Sequence, residues 1–242
     1  MADNTPQDFW AALELISAAH ELVIDRPRGT AHPRHPSFIY PLDYGYLAGT
    51  TSQDGGGVDV WRGSAPALGI PAVCVIVDAW KKDAEIKILL GCNQVEQLQV
   101  LQTHNEKSMR GMLVHRDGGL QPLSGQANEV SPAQDFWEMC DQFALMHAVV
   151  IDRPKGVAHP RFPDFIYELD YGYLDGTKAQ DGSAIDVWLG SQPPDRVTAV
   201  ALIAGWQQHC CEVKLLLGCT AAEIAAVSRG HGKGLVIARP GV

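Results

Sequence analysis

The chain has 242 residues, of which 46% are hydrophobic and 19% charged, and its formal net charge is −9. This composition supplies enough apolar side chains for a packed core and excludes a largely disordered chain. The acidic balance argues against nucleic acid as a partner, because a nucleic-acid backbone requires clustered Lys and Arg. We find neither an apolar run of the roughly 20 residues that a membrane span needs nor a signal-peptide pattern, and the six cysteines lack CxxC spacing. A cytoplasmic protein with reduced thiols is therefore expected.

The chain contains an internal repeat. Asp25 recurs as Asp152 and Lys87 as Lys214, and both separations are 127 residues (152 − 25 and 214 − 87). A unit of about 120 residues has the length of an independent domain. The repeat therefore predicts a first domain at residues 1–118, a linker at 119–131 in a Gly- and polar-rich stretch, and a second domain at 132–242.

The first unit begins with a helical pattern in PQDFWAALELISAAHELV, in which Phe9, Leu13, Ile16 and Leu22 are predicted to share one face. ELVID enters a strand, and DRPRGTAHPRHP contains too much Pro for regular structure. FIYPLDYGYLAGT, VDVWRG, PAVCVIVDAW and AEIKILLG are predicted strands, NQVEQLQVLQ is a short helix, and GMLVHR is a last strand.

The order of these elements defines the fold class. Several short strands follow one another without intervening helices, so a doubly wound parallel sheet is disfavoured. We predict a mainly β, α+β chain in which each unit forms a small closed sheet or barrel with flanking helices. The duplication favours pairing of the two units as an intramolecular pseudo-dimer.

Two acidic segments, QDGGGVDVW at 53–61 and QDGSAIDVW at 180–188, contain the candidate metal-binding carboxylates. A Gly-containing turn in each can fold the first Asp back towards the second, and Mg²⁺ commonly takes one or two carboxylates together with water and substrate phosphate. Strand alternation in AEIKILL places Glu85 and Lys87 on one face, opposite Ile86 and Ile88. The simpler reading remains open at this point, because Asp-Gly is an ordinary turn dipeptide and Glu and Lys two residues apart are common on solvated faces.

The sequences FIYPLDYGYLAGTTSQDGGGVDVW and FIYELDYGYLDGTKAQDGSAIDVW resemble the signature of the soluble, Mg²⁺-dependent inorganic pyrophosphatases. That signature is an aromatic Y-P-x-[ND]-Y-G-Y strand, a turn and D-G-D-P-x-D-V, and AEIKILL and EVKLLL resemble the family's later D-x-K strand. The resemblance covers about Val23 to Gly91 and about Val150 to Gly218. It implies an OB-like barrel of about five strands in each unit.

The resemblance also implies roles for individual residues. Asp54 and Asp59 match the outer aspartates of the acid turn and would be both catalytic and metal-binding; Glu85 matches the later metal-binding aspartate. Lys87 and Tyr44 match phosphate-binding residues, and Asp25 stands where the family has a glutamate facing the metals. The second unit repeats these six positions as Asp181, Asp186, Glu212, Lys214, Tyr171 and Asp152.

This sequence departs from the family pattern at three places. The family's additional aspartate just before the acid-x-Lys strand has no clear match here, although Asp78 or Asp83 could substitute for it in the first unit. The middle aspartate of D-G-D, which the family uses to activate the attacking water, is Gly56 in the first unit and Ser183 in the second. The arginine-bearing hairpin of the family is shortened to AHPRHPS and AHPRFPD, where Arg34 and Arg161 are the candidates to bind substrate phosphate.

The resemblance implies Mg²⁺-dependent hydrolysis of inorganic diphosphate, with Mn²⁺ as an alternative metal and with slow turnover because the middle acid is missing. One alternative is a non-catalytic module, derived from a pyrophosphatase, that binds phosphate or metal. A second is an OB-like nucleic-acid binder, which ranks last because its aromatic residues lie beside acids. A third is one active and one structural unit, which Asp83, close in sequence to Glu85 in the first unit, slightly favours.

Overall fold

The computed structural model describes residues 6–51, 57–117, 132–179, 183–231 and 233–242. The predicted linker lies outside these ranges, as do Asp54, Gly56 and Asp181. No helix in the described part of the chain combines the length and the apolar character that crossing a membrane would require. All six cysteines are buried, and none forms a disulfide with another described residue.

The first unit begins with a helix whose start and buried face follow from its sequence. Asp8 caps the helix by accepting a hydrogen bond from the amide of Ala11 at 2.8 Å, and Phe9, Leu13 and Ile16 are buried on one side. The elements of the unit are α1 (Phe9–Ala19), β1 (Leu22–Arg26), β2 (Ala31–His32), β3 (His35–Ile39), β4 (Asp43–Leu47), β5 (Val58–Arg62), a 3-10 turn (Pro66–Leu68), β6 (Ala72–Asp78), β7 (Asp83–Leu90), α2 (Gln94–Thr103) and β8 (Met109–His115).

The second unit repeats this order with small changes. Its elements are α3 (Pro132–Leu145), β9 (Val149–Arg153), β10 (Asp170–Leu174), β11 (Lys178–Ala179), β12 (Asp186–Leu189), β13 (Val197–Gly205), β14 (Cys210–Leu217), α4 (Ala221–His231) and β15 (Leu235–Ala238).

Two sequence predictions about local structure were wrong. Leu22 does not lie on the first helix, because the chain turns extended at His20 and Leu22 starts β1. The Pro-rich segment after Arg26 is not entirely irregular, since β2 pairs with β3 in a small antiparallel sheet. The equivalent segment of the second unit contains only an isolated bridge between Ala158 and Ile166.

Each unit builds one main sheet. The strand order is β1-β4-β5-β7-β6-β8 in the first and β15-β13-β14-β12-β10-β9 in the second. The mainly β, α+β class is therefore confirmed. Among the described residues the ladders form an open path, with no pairing between the two end strands, and an OB-like barrel in each unit stays a prediction.

The central hydrophobic core contains residues of both units. Phe9 and Leu13 of α1 and Phe136 and Phe143 of α3 belong to the same buried cluster, to which the inward faces of both main sheets contribute. Helix α1 contacts β13 of the second unit, and α3 contacts β8 and β6 of the first. Trp10 and Trp137, 8% and 2% exposed, lie in this shared core. The units are thus joined by their apolar helix faces as well as by the chain.

Short backbone links cross between the units in both directions. Strand β11 pairs in parallel with β7, and the amide of Lys178 donates to the carbonyl of Lys82 at 2.8 Å. In the equivalent position of the repeat, the amide of Thr51 donates to the carbonyl of His209 at 2.8 Å. The segments that precede the two acidic turns are therefore held by the opposite unit.

Candidate functional site

The Tyr-Gly-Tyr strand β4 lies against β1 in a contact that only glycine allows. A Cβ atom added at Gly45 would lie 1.9 Å from the carbonyl oxygen of Val23, and the same distance separates a Cβ at Gly172 from the carbonyl oxygen of Val150. The glycine therefore allows β4 to lie close against β1. On its other edge β4 pairs with β5, where Tyr44 lies opposite Trp61, and in the second unit Tyr171 of β10 lies opposite Trp188 of β12.

The first site forms around the ammonium group of Lys87. Its Nζ donates to Asp59 of the neighbouring strand β5, to Glu85 Oε2 at 2.6 Å and to the hydroxyl of Tyr44 at 3.3 Å. Glu85 and Lys87 extend from one face of β7, as predicted, while Ile86 and Ile88 on the other face enter the central core. The structure therefore brings four of the predicted first-unit residues together.

The second site repeats this arrangement. Lys214 Nζ donates to Asp186, to the hydroxyl of Tyr171 at 3.0 Å, and pairs with Glu212 Oε2 at 2.9 Å. The Tyr171 hydroxyl in addition donates to Asp186 at 2.5 Å. Two copies that differ in the residues between them have thus kept the same cluster of one cation, two carboxylates and one phenol.

The cluster is only partly closed to water. The lysine side chains are 7% and 10% exposed, whereas Asp59 and Asp186 are 24% and 26% exposed. The aspartate side chains are therefore partly accessible to solvent, whereas the lysine side chains beside them are almost fully buried. A cation or a phosphate in solution could therefore reach the cluster while the strands stay folded.

Electrostatics in the first site favour the ionised forms of Lys87 and Glu85. Burial alone would lower the pKa of Lys87, but Asp59 and Glu85 raise it well above its ordinary value. Burial opposes ionisation of Glu85, yet Lys87 and Lys81 lower its pKa to about 2. Burial raises the pKa of Tyr44 well above its ordinary value, so that its hydroxyl remains a hydrogen-bond donor.

Asp83 gives the first site an acid that the second site does not have. It lies on the same strand as Glu85 and Lys87, its side chain is 3% exposed, and Oδ2 has no hydrogen-bond partner among the described residues. Burial and the charge of Glu85 raise its pKa to about 7. Cys210, whose Sγ lies 3.8 Å from Glu212 Oε1, takes this position in the second unit.

Asp25 and Asp152 lie at bulges in β1 and β9. The register of β1 against β4 shifts between Ile24 and Arg26, and the Asp25 carboxylate pairs with its neighbour Arg26 at 2.7 Å. Asp152 likewise pairs with Arg153, at 3.3 Å. Within the described ranges no hydrogen bond or ion pair joins either aspartate to the lysine-centred clusters, and their predicted role at the metals stays a prediction.

Arg26 and Arg153 are site residues that the sequence reasoning missed. The Arg26 guanidinium carbon lies 5.6 Å from the centre of the Tyr44 ring, and that of Arg153 lies 5.4 Å from the centre of the Tyr171 ring. The signal was available, because both residues follow an Asp in a DRP triplet that recurs at the repeat distance. The predicted Arg34 and Arg161 lie on exposed loops nearby.

The carboxylate ligands are of the type that a hard divalent cation prefers, but the described residues supply only two of them in each unit. Two carboxylates converge on one positive group in each unit, yet no group of three or more His, Cys, Asp and Glu in the described ranges could hold a metal ion. The third predicted ligands, Asp54 and Asp181, lie outside those ranges. The three-carboxylate cage therefore stays a prediction.

Comparison of the chain with protein-family models, with curated proteins and with solved structures finds no match.

Proposed function

We propose that this chain is a Mg²⁺-dependent inorganic diphosphatase built from two pyrophosphatase-like, OB-like units that pair within one chain. The observation that carries the proposal is the twofold recurrence of the cluster in which Asp, Glu and Tyr surround one buried Lys. Stability alone does not explain why buried charged residues occur in both units, because replacing a buried ion pair by apolar residues is often neutral or stabilising. We further expect the protein to act in the cytoplasm.

Asp59 and Glu85, together with Asp54, would hold Mg²⁺ in the first unit, and Asp186, Glu212 and Asp181 in the second. When bound, Mg²⁺ would lower the pKa of water and neutralise charge on the phosphate oxygens. Mn²⁺ prefers similar oxygen ligands and is expected to substitute.

Lys87 and Tyr44 supply donors for the phosphoryl oxygens. The Lys87 ammonium lies between Asp59 and Glu85, so its charge would share these two carboxylates with a bound cation. Lys87 and the Tyr44 hydroxyl would donate to the phosphoryl oxygens and stabilise the charge that develops on the leaving phosphate. Lys214 and Tyr171 would do the same in the second unit.

Phosphate release from diphosphate with Mg²⁺ tests this function in the purified full chain. Glu85→Gln and Glu212→Gln each remove one carboxylate charge while preserving side-chain size, and the double variant disables both units. We expect the double variant to lose at least about 100-fold in rate, the magnitude of losing one strong transition-state interaction. Turnover that persists in the double variant would contradict the proposal.

The two single variants compare the units. We expect Glu85→Gln to cost more activity than Glu212→Gln, because only the first unit has the additional buried carboxylate of Asp83 beside Glu85. Equal losses would indicate equivalent units, and a greater loss in Glu212→Gln would contradict this assignment.

A second candidate is a non-catalytic module that binds phosphate or metal, favoured by the absence of an acid at Gly56 and Ser183. Calorimetry separates the two functions. Mg²⁺-dependent binding of diphosphate without release of phosphate would support the binding module and reject the enzyme.

A further inference from the structure

A histidine stacks on the aromatic residues of each site. The His32 ring lies on Tyr40 with centroids 6.0 Å apart and planes at 19°, and Tyr40 in turn stacks on Tyr44 at 5.6 Å. In the second unit the His159 ring lies on Tyr167 at 5.9 Å and 20°, and Tyr167 packs against Tyr171 at 5.3 Å. Each imidazole therefore has a fixed position relative to the tyrosine that contacts the site lysine.

The loop backbone fixes the proton of each imidazole. His32 Nδ1 accepts hydrogen bonds from the amides of Arg34 and His35 at 3.1 and 3.2 Å, and His159 Nδ1 accepts from those of Arg161 and Phe162 at 3.0 and 3.2 Å. Because Nδ1 must offer its lone pair to these amides, the ring proton lies on Nε2. Neither Nε2 has a hydrogen-bond partner in the part of the chain that the structure describes.

Positive charge surrounds the first imidazole and opposes a second proton on it. Burial, followed by His35 and the guanidinium groups of Arg26 and Arg34, lowers the pKa of His32. Burial, followed by Arg153 and Arg161, lowers the pKa of His159. Near neutral pH each ring is thus an uncharged group with one outward N–H donor beside two arginines.

This geometry does not depend on the local backbone pairing. The His32 loop contains the β2–β3 ladder, whereas the His159 loop contains only the isolated bridge at Ala158. The stacking and both amide contacts are nevertheless the same in the two units. The position of each imidazole is therefore set by the tyrosine stack and the two adjacent amides rather than by the β2–β3 ladder.

We propose that His32, with Arg26 and Arg34, forms an outer anion subsite that binds the phosphoryl group farthest from the carboxylate cluster, and that His159, with Arg153 and Arg161, forms its counterpart. This inference rests on the proposed function, since it assigns the second phosphoryl group of the same phosphoanhydride. The Nε2–H groups would donate to phosphate oxygen while the guanidinium groups supply charge.

Two substitutions separate ligand binding from loop structure. In His32→Asn the amide oxygen can replace Nδ1 as acceptor for the loop amides, but the Nε2 donor is lost. In His32→Gln the amide nitrogen can replace the Nε2 donor, but the Nδ1 acceptor is lost. The same changes at His159, alone and combined with those at His32, cover both units.

Binding is measured by calorimetry with Mg²⁺ and imidodiphosphate, which resists hydrolysis, and folding by thermal unfolding. We expect the double Asn variant to weaken binding by about tenfold, the value of one hydrogen bond to a charged group, with an unchanged midpoint of unfolding. The double Gln variant should bind within about threefold of the unaltered protein, although it unfolds at a lower temperature. Unchanged binding in the Asn variant would overturn the proposal and leave the histidines a purely structural role.

Imidazole ¹⁵N spectra distinguish failure of the subsite from failure of the proposed enzyme. We expect His32 and His159 in the Nε2–H tautomer and a shift of Nε2 when diphosphate is added. A shift without phosphate release would retain the subsite and reject hydrolysis. Phosphate release with an unmoved Nε2 would retain hydrolysis and overturn the subsite.

Discussion

Acid should destabilise this protein through His104, a histidine buried at the end of α2. His104 is 7% exposed, and its Nε2 accepts a hydrogen bond from Trp61 Nε1 at 3.1 Å. The neutral tautomer therefore carries its proton on Nδ1, which has no partner among the described residues. Protonation of Nε2 would break the bond to Trp61 and place a charge in an apolar environment. Burial and the nearby Lys87 charge lower the pKa of His104 to about 3.

The magnitude follows from the difference between the folded and unfolded pKa values. An unfolded histidine has a pKa of about 6.5, so between pH 6.5 and pH 3 the unfolded chain binds one more proton than the folded chain at this residue. Stability is complete above pH 6.5 and is lost as the pH falls, by about 1.4 kcal/mol per pH unit. At pH 5 this residue alone should cost about 2 kcal/mol of unfolding free energy relative to neutral pH.

Chemical denaturation at pH 7 and pH 5 measures this loss. His104→Gln removes the titration but can still accept the hydrogen bond from Trp61, so its loss between the two pH values should be about 2 kcal/mol smaller than that of the unaltered chain. His35→Gln, an exposed ring in the same unit, controls for removing a histidine as such. If His104→Gln and the unaltered chain lose the same free energy on acidification, the buried neutral histidine is the wrong explanation.

Three other predictions concern single contacts. Lys87→Met should cost about 3 kcal/mol of unfolding free energy when the protein is denatured without Mg²⁺, because two largely buried carboxylates lose their cation. A loss smaller than that of the exposed control Arg116→Gln would contradict this prediction. Arg239→Gln should destabilise more than Arg116→Gln under the same denaturant, since Arg239 is 12% exposed and contacts both oxygens of Asp141 at 2.7 and 2.9 Å, whereas Arg116 is 43% exposed. Gly172→Ala should abolish soluble expression or cooperative unfolding, because the added Cβ would overlap the carbonyl of the adjacent strand. Normal cooperative melting of this variant would refute the conclusion that only glycine fits in the Tyr-Gly-Tyr strand.

Local patterns in the sequence predicted the regular elements well where one physical signal dominated. The alternation of Glu85, Ile86 and Lys87 placed polar and apolar side chains on the correct faces of β7, since a strand has a period of two residues. The helix predicted in NQVEQLQVLQ is present, and the structure adds a capping box at its start, in which Asn93 and Glu96 each bond the other's backbone amide. The repeat distance also transferred the positions of Glu85 and Lys87 to Glu212 and Lys214 in the second unit.

Non-local contacts could not be predicted in the same way. The bulge at Asp25 brings Arg26 beside Tyr44, and a one-residue register shift leaves no mark in periodicity. The contact between Lys87 and Asp59 could not be predicted, because it depends on the pairing of β5 with β7, which local periodicity does not specify. The Pro content of the segment that begins at Asp25 predicts irregular structure, whereas Arg26 is the last residue of β1.

The links through Thr51 and Lys178 have a consequence for how this protein could be divided or varied. Thr51 and Lys178 each lie three residues before the first Asp of an acidic turn. Each donates to the residue just before the Glu-bearing strand of the other unit, to His209 before β14 and to Lys82 before β7. Separating the two halves would remove from each the backbone hydrogen bond that holds the segment before its own acidic turn. A backbone change at Lys82 or His209 would therefore alter the turn-bearing segment of the opposite repeat.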